Sequence, residues 1–326
     1  MAVTALNPKK RKTMDTKLSN RRQSRAASLS FWLFMAPALF GLGLFTIVPI
    51  AWGFLLSLSH AQNTIHFGHF IGFRNYLDLL TDPEFLRSLE TISIFVILIV
   101  PIAYALSLGL ALLVNKAGRQ TAFFRSVVFI PSAVSYVAAS MVWRASLFSG
   151  TSSGFANHIL LAAHIIHQPI AWIGTVSPPW YWLVLVTARL WLQVGFYMII
   201  LLAGLQEIPK SLYEAAAMDG VKNWWQTLVY ITLPQLKVTT ISVVMLNMIA
   251  AFQAFDEFYN ILGGSGASTG NIGLARPPLV YLYSIALSNE DFGRGAAGGF
   301  ILTAIIIFVT LIQGRLFGFG ESNTNR

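Results

Sequence analysis

Apolar residues run through this chain in long blocks separated by short polar stretches. A helix that crosses a bilayer needs roughly 20 mostly apolar residues. Six blocks reach that length, at about 30–58, 88–114, 122–148, 180–205, 238–262 and 295–317. The pattern predicts an all-α integral membrane fold with about six transmembrane helices. The first block is too long for a cleavable signal and lacks a small-residue cleavage site, so it reads as a retained anchor. Pro37, Pro49, Pro101 and Pro131 fall inside spans, where neighbouring helices can satisfy the carbonyls that proline frees.

Composition agrees with the blocks. Hydrophobic residues make up 55% of 326 positions and charged residues 11%, against roughly 25% charged in a soluble domain. The mean hydropathy is +0.63. No cysteine occurs, which excludes thiolate catalysis, disulfides and cysteine-held metals. The divisions expected are a basic tail over 1–28, a transmembrane domain over 29–320 and a C-terminus over 321–326.

Charge placement sets an orientation. Lys9, Lys10, Arg11, Lys12, Lys17, Arg21, Arg22 and Arg25 face one acid, Asp15, in the tail. Such an arm can suggest nucleic-acid binding. Beside a polytopic domain it reads instead as a cytoplasmic tail, and no nucleic acid is expected. With the N-terminus inside, the inner segments also hold Lys116, Arg119, Lys210, Lys222, Lys237, Arg315 and Arg326, with Arg125 at an adjoining helix end, which puts 16 of the 22 basic residues on the inner side. Both termini are therefore expected in the cytoplasm of a multi-pass cell-membrane protein. Segments 59–87, 149–179 and 263–294 fall outside, and the last opens with Gly263-Gly264-Ser265-Gly266 and looks loop-like.

The inner segment 206–237 is the most informative. Pro209 breaks the incoming helix, and Ser211-Leu-Tyr-Glu214 has the form of a capping box for a short new one. Ala215, Ala216 and Ala217 give that helix a slim face, and Asp219-Gly220 ends it at a sharp turn. A second short helix is expected from near Asn223 through Trp224 and Trp225, with Pro234 at the entry to the next span. Two short helices at a turn on the inner face form a docking element.

These residues resemble the EAA signature of membrane subunits in binding-protein-dependent ABC importers, roughly E-A-A-x₃-G-x₉-I-x-L-P. Glu214, Ala215, Ala216, Gly220, Ile231, Leu233 and Pro234 match it. One extra residue stands between Gly220 and Ile231, and Val221 replaces the usual alanine. Phe70-Ile-Gly72-Phe-Arg-Asn75-Tyr76, Asp82-Pro-Glu-Phe85, Trp191-Leu-Gln-Val-Gly195-Phe196, Leu202-Ala-Gly-Leu-Gln206-Glu-Ile-Pro209 and Phe255-Asp256 are similar to the carbohydrate-importer branch, which includes the maltose and glycerol-3-phosphate permeases. The resemblance implies a permease that pairs with a second homologous permease, two cytoplasmic ATPase subunits and an extracytoplasmic solute-binding protein. It implies that the EAA loop seats in an ATPase groove, with Glu214 near a basic residue there; Glu214 can serve as a cap as well. The solute expected is a sugar, oligosaccharide or glycerol-phosphate-type compound. No G-x-x-x-x-G-K-[ST] phosphate loop occurs, so ATP and Mg are expected on the partner subunits and no catalytic residue in this chain.

Ionisable residues at membrane depth are functional candidates by default. Gln253, Asp256, Glu257 and Asn260 have i, i+3, i+4, i+7 spacing, which lines one face of a continuous helix. That stripe reads as solute path, as a partner for an adjacent helix, or as a helix end reaching water. Arg189, Gln193 and Tyr197 form a second stripe, with Arg189 either snorkelling outward or paired with Asp256 or Glu257. His158, His164 and His167 have no acid nearby in sequence, and no metal site is expected. Trp172, Trp180, Tyr181 and Trp182 look like membrane-interface aromatics. The rival readings are an importer for a non-sugar solute such as a polyamine, an ATP-independent secondary transporter or channel, and a membrane scaffold that moves nothing.

Overall fold

The computed structural model describes residues 31–116, 120–175, 177–221, 223–263 and 275–316. The basic tail, the glycine-rich turn after Gly263 and the C-terminus after Leu316 lie outside them. Among the described residues four helices are long and apolar enough to cross a membrane: α1 (Phe31–Ser57), α3 (Pro83–Asn115), α7 (Tyr181–Glu207) and α13 (Phe292–Leu316). Two bent pairs bring the possible spans to six. α4 (Thr121–Ala133) meets α5 (Tyr136–Leu147) at 90°, and α9 (Trp224–Gln235) meets α10 (Lys237–Phe252) at 74°.

The first bend follows from its sequence. Pro131 sits in a tight 3₁₀ turn over Ile130–Ala133, and Val134 and Ser135 are extended. Proline removes an interior hydrogen bond and clashes with the preceding turn. The block at 122–148 is thus an elbow rather than the straight helix that hydropathy alone suggests.

Short elements cap one end of the bundle. A hairpin of β1 (Ser59–His60) and β2 (His69–Phe70) leads into α2 (Arg74–Thr81). α3 starts directly afterwards, with Pro83 in its first turn and the Asp82 carboxylate accepting from Glu84 N at 2.9 Å. Phe292 N donates to Ala61 O, which fixes the start of α13 against the hairpin. The segment expected to be loop-like holds a further helix, α12 (Pro278–Ser288), packed between α3 and α13. We call this the hairpin end.

α6 (Phe155–Ala162) lies in the segment between α5 and α7. There Asn157 is fully buried, and its amide bonds Ser149 O, Thr151 O, Ile170 O, Ile170 N and Trp172 Nε1 at 3.0–3.1 Å. Trp172 and Tyr181 are buried in the adjoining core with Phe95, Val184 and Phe258. They pack the protein interior instead of forming a lipid-interface belt.

α3 and α7 pack along their length and form the centre of the bundle. At Gly195 in α7 a Cβ would lie 2.1 Å from Val128 O of α4, so only glycine permits that backbone crossing. Close approach of this kind, with interhelical hydrogen bonds, drives helix association where lipid is as apolar as leucine. Ser107 Oγ donates to Val194 O at 3.0 Å beside the crossing. α1 contrasts with this centre. It is apolar on every face and 6% buried, and touches the bundle chiefly through α13, where Phe54 meets Phe300 edge-on.

Candidate functional site: the coupling loop and the broken helix

The 208–236 loop lies at the end opposite the hairpin. α7 stops at Glu207, Ile208 and Pro209 are extended, and α8 (Lys210–Met218) starts with Pro209 at the N-cap. No side chain caps it, so the Ser211–Glu214 box is not formed; Ser211 is already inside the helix. Proline supplies the start instead, because it breaks α7 and its own missing N–H needs no partner.

The end of α8 follows the sequence closely. Gly220 has φ +89°, Val221 N donates to Ala216 O at 3.0 Å, and Gly220 N to Ala217 O at 3.3 Å. This pair of bonds is the Schellman closure that a left-handed glycine allows. Tyr213 and Ala216 face the bundle half-buried, whereas Glu214, Ala215, Asp219, Gly220 and Met218 are exposed. α9 begins after the extended Asn223, and contains a π turn over Leu228–Thr232. A π turn takes one more residue than an α turn. It overlaps the end of the stretch that has one residue more than the EAA pattern, and Thr232 Oγ1 donates to Thr227 O at 3.3 Å across it. Leu233 and Pro234 close α9, half-buried and exposed respectively, before the bend at Leu236.

The second site lies inside the bundle. The block at 238–262 is two helices: α10 ends at Phe252, residues 253–255 break the chain, and α11 (Asp256–Leu262) starts anew. Gln253, Asp256, Glu257 and Asn260 therefore do not share one helical face. Gln253 is exposed at the break and Asp256 half-buried, while Glu257 and Asn260 are buried. Asn260 Nδ2 returns to Asp256 O at 2.7 Å, and its carbonyl accepts from Arg144 at 3.1 Å.

Arg189 fills the gap that the break creates. Its Nη1 lies 2.8 Å from Glu257 Oε1, with the two side chains 6% and 1% exposed. Its Nη2 donates to Ala250 O at 2.5 Å, and its guanidinium carbon lies 5.2 Å from the centre of the Tyr136 ring. Ala250 is in the last turn of α10, where carbonyls lack intrahelical partners and the helix end is negative. Glu257 is in the first turn of α11, where an acid is favoured. The interruption thus presents a carbonyl and a carboxylate to one cation. Tyr136 could not be read from the sequence as part of this site, because only the α4–α5 elbow brings it there.

Tyr197 is buried one helical turn below Gln193, and both lie on α7 with Arg189. Four buried polar atoms in this region have no protein partner among the described residues: Ser140 Oγ, Arg189 Nε, Gln193 Oε1 and Glu257 Oε2. Beside them, Phe255 stacks on Tyr259 at 5.0 Å, and Tyr283 of α12 packs against both. The arrangement places unpartnered hydrogen-bonding groups beside aromatic faces. His158 is on α6 and His164 and His167 follow it; among the described residues no group of three potential ligands gathers for a metal.

Known proteins share both sequence and architecture. The chain is 32% identical over 287 residues to the lactose transport system permease protein LacF of Rhizobium radiobacter, covering 86% of this chain and 92% of that protein. It is 32% identical over 300 residues to the trehalose/maltose transport system permease protein MalF of Thermococcus litoralis, covering 92% and 97%. A chain of a bacterial ABC transporter that imports the acidic polysaccharide alginate has the same fold, with a TM-score of 0.78, 18% identity, and coverage of 93% of this chain and 100% of that one. Residues 28–317 match a single family description. The chain is an integral membrane protein of the binding-protein-dependent transport system inner membrane component family.

Proposed function

We propose that this chain is the non-catalytic permease half of an ATP-driven importer for a sugar or oligosaccharide. The observation that carries the reading is the 208–236 loop: a short helix closed at Gly220, with Glu214, Ala215 and Met218 uncovered at the end of the bundle. An exposed, sterically slim helix is suited to insertion in a groove on a cytoplasmic ATPase. ATP and Mg bind on two such ATPase subunits, and their closure rocks the spans between inward-open and outward-open states. A second homologous permease completes the path, and a solute-binding protein delivers the solute at the hairpin end. Both termini are cytoplasmic in this reading.

Sugar as the solute is supported by relatives whose names specify lactose, trehalose or maltose, and arabinooligosaccharides. The cluster of buried Arg189, Tyr197, Glu257 and Asn260 with half-buried Gln193 and Asp256, and Gln253 at the break, is the candidate path. A buried polar atom without a partner costs about 1–3 kcal/mol, so Arg189 Nε, Gln193 Oε1 and Glu257 Oε2 are natural partners for solute hydroxyls. The test is uptake by the assembled complex in proteoliposomes, using solutes selected by thermal shift of the cognate binding protein. ATP-dependent, vanadate-sensitive uptake of a sugar is the expected result. Uptake that ignores ATP and vanadate refutes the mechanism, and a binding protein that takes only polyamines refutes the solute class.

A further inference from the structure

The covalent links of the 208–236 loop are poorly suited to transmitting force. On one side Ile208 and Pro209 are extended, and on the other α9 turns into α10 through 74° at Leu236. Hinges of this kind absorb motion rather than pass it on. A non-covalent connection to a stiff element is needed. We propose that α3 is that element, and that Lys116, through the ring of Trp224, is the positioning residue that joins it to the loop.

Three sets of contacts support this. First, a cleft of about 230 Å³ lies between the loop and the end of α3, lined by Asn115, Lys116, Tyr213, Trp224, Thr227 and Thr232 among others. Lys116, the C-cap residue that follows α3, places its ammonium 5.7 Å from the centre of the Trp224 ring, within the range of cation–π attraction. Both side chains are exposed, and Lys116 makes no ion pair among the described residues. The contact spans the cleft and joins the end of α3 to the loop.

Second, α3 is tied to both spans that flank the loop. Ser107 Oγ donates to Val194 O of α7, Tyr104 Oη lies 3.0 Å from Thr240 Oγ1 of α10, and Asn247 Nδ2 of α10 donates to Val100 O at 3.3 Å. Displacement of α3 therefore moves α7 and α10 with it. Third, the far end of this 33-residue helix, about 50 Å away, is anchored to the hairpin-end cap. Asp82 accepts from Tyr281 and lies 3.5 Å from Arg294, and Glu84 pairs with Arg276. One rod thus touches the loop at one end and the cap at the other. Coupling between distant sites needs a contiguous physical connection of this kind.

The inference rests on the proposal that the loop seats on an ATPase, and the experiment separates the two. The complete complex is reconstituted in proteoliposomes with Lys116→Met, Lys116→Arg, Trp224→Leu, the double variant Lys116→Met/Trp224→Leu, and Gly220→Val. ATPase retention, basal hydrolysis and solute moved per ATP are measured. Lys116→Met is expected to keep the ATPase bound and basal hydrolysis intact while solute moved per ATP falls about two- to fivefold. Lys116→Arg restores the ratio, and the double variant is no worse than either single one, as for two residues acting through one contact. An unchanged ratio in Lys116→Met, failure of Lys116→Arg to restore it, additive losses, or loss of the assembled complex from this exposed substitution each overturns the inference. Gly220→Val reports on the underlying reading. If it keeps ATPase and transport, the seating of the loop is wrong; if it loses them while Lys116→Met is silent, only the role of α3 falls.

Discussion

Arg189 and Glu257 meet at 2.8 Å in the middle of the bundle and hold α11 to α7 across a break in the chain. The pair is buried, and the same guanidinium binds Ala250 O on the near side of the break. One cation therefore stabilises both ends of an interrupted helix. Irregular backbone at membrane depth persists only where the protein satisfies it.

Removing Glu257 alone should be severe. Glu257→Leu leaves the Arg189 charge buried without its counter-ion, which typically costs about 3–5 kcal/mol. Arg189→Met/Glu257→Leu removes both charges and should recover much of that loss. Thermal unfolding of the detergent-solubilised complex measures the difference. Equal destabilisation in the single and double variants contradicts this account of the pair.

The crossing at Gly195 makes a steric prediction. A Cβ there would lie 2.1 Å from Val128 O, and a backbone carbonyl cannot rotate away. Gly195→Ala should separate α7 from α4 and strain the Ser107 bond to Val194 O. Lower membrane abundance and a lower melting temperature are expected; a variant that melts with the wild type shows that the crossing relaxes freely.

Gly220 makes a local one. A β-branched side chain at φ +89° is strained, by about 1–2 kcal/mol for a left-handed residue. Nothing lies within 4 Å of the position, so the effect should stay in the loop. Gly220→Val is expected to abolish ATPase retention while leaving membrane abundance near normal, as seen by co-purification and immunoblot. Loss of abundance instead assigns Gly220 to folding.

The cap at the hairpin end should respond to acid. Burial pushes the Asp82 carboxyl up, but the Tyr281 hydroxyl, the N–H groups of Glu84 and Phe85 and the nearby Arg294 outweigh it and hold it below the ordinary 3.8. A carboxyl depressed on folding stabilises above its unfolded pKa, and that contribution is lost as pH falls through the folded one. Melting temperature should therefore drop below about pH 4. Tyr281→Phe removes one depressing bond, which moves the loss to higher pH and shrinks it. Superimposable pH profiles for wild type and Tyr281→Phe contradict the assignment.

Much of the coupling loop was legible because its determinants are local. Pro209 stops a helix, Gly220 supplies a left-handed turn, and both act within a few residues of themselves. The capping box failed because Pro209 takes the N-cap position two residues before Ser211, which leaves Ser211 inside the helix. The Gln253–Asn260 stripe failed for a different reason. Helical spacing assigns a common face only if the helix is continuous, and no proline or glycine marks the break at 253–255.

Long apolar blocks and the EAA residues were enough to determine a multi-span helical protein of an importer family, because hydrocarbon demands internally bonded helices and a sharp turn demands particular residues. The burial of Trp172 and Tyr181, and the meeting of Arg189, Tyr136, Ala250 and Glu257, were decided only by tertiary structure. The partners of Arg189 lie about 50–70 residues away along the chain in no fixed register, and packing alone brings them together. Sequence set which helices could exist in the membrane. Which polar group meets which inside the bundle was settled by how those helices bend and cross.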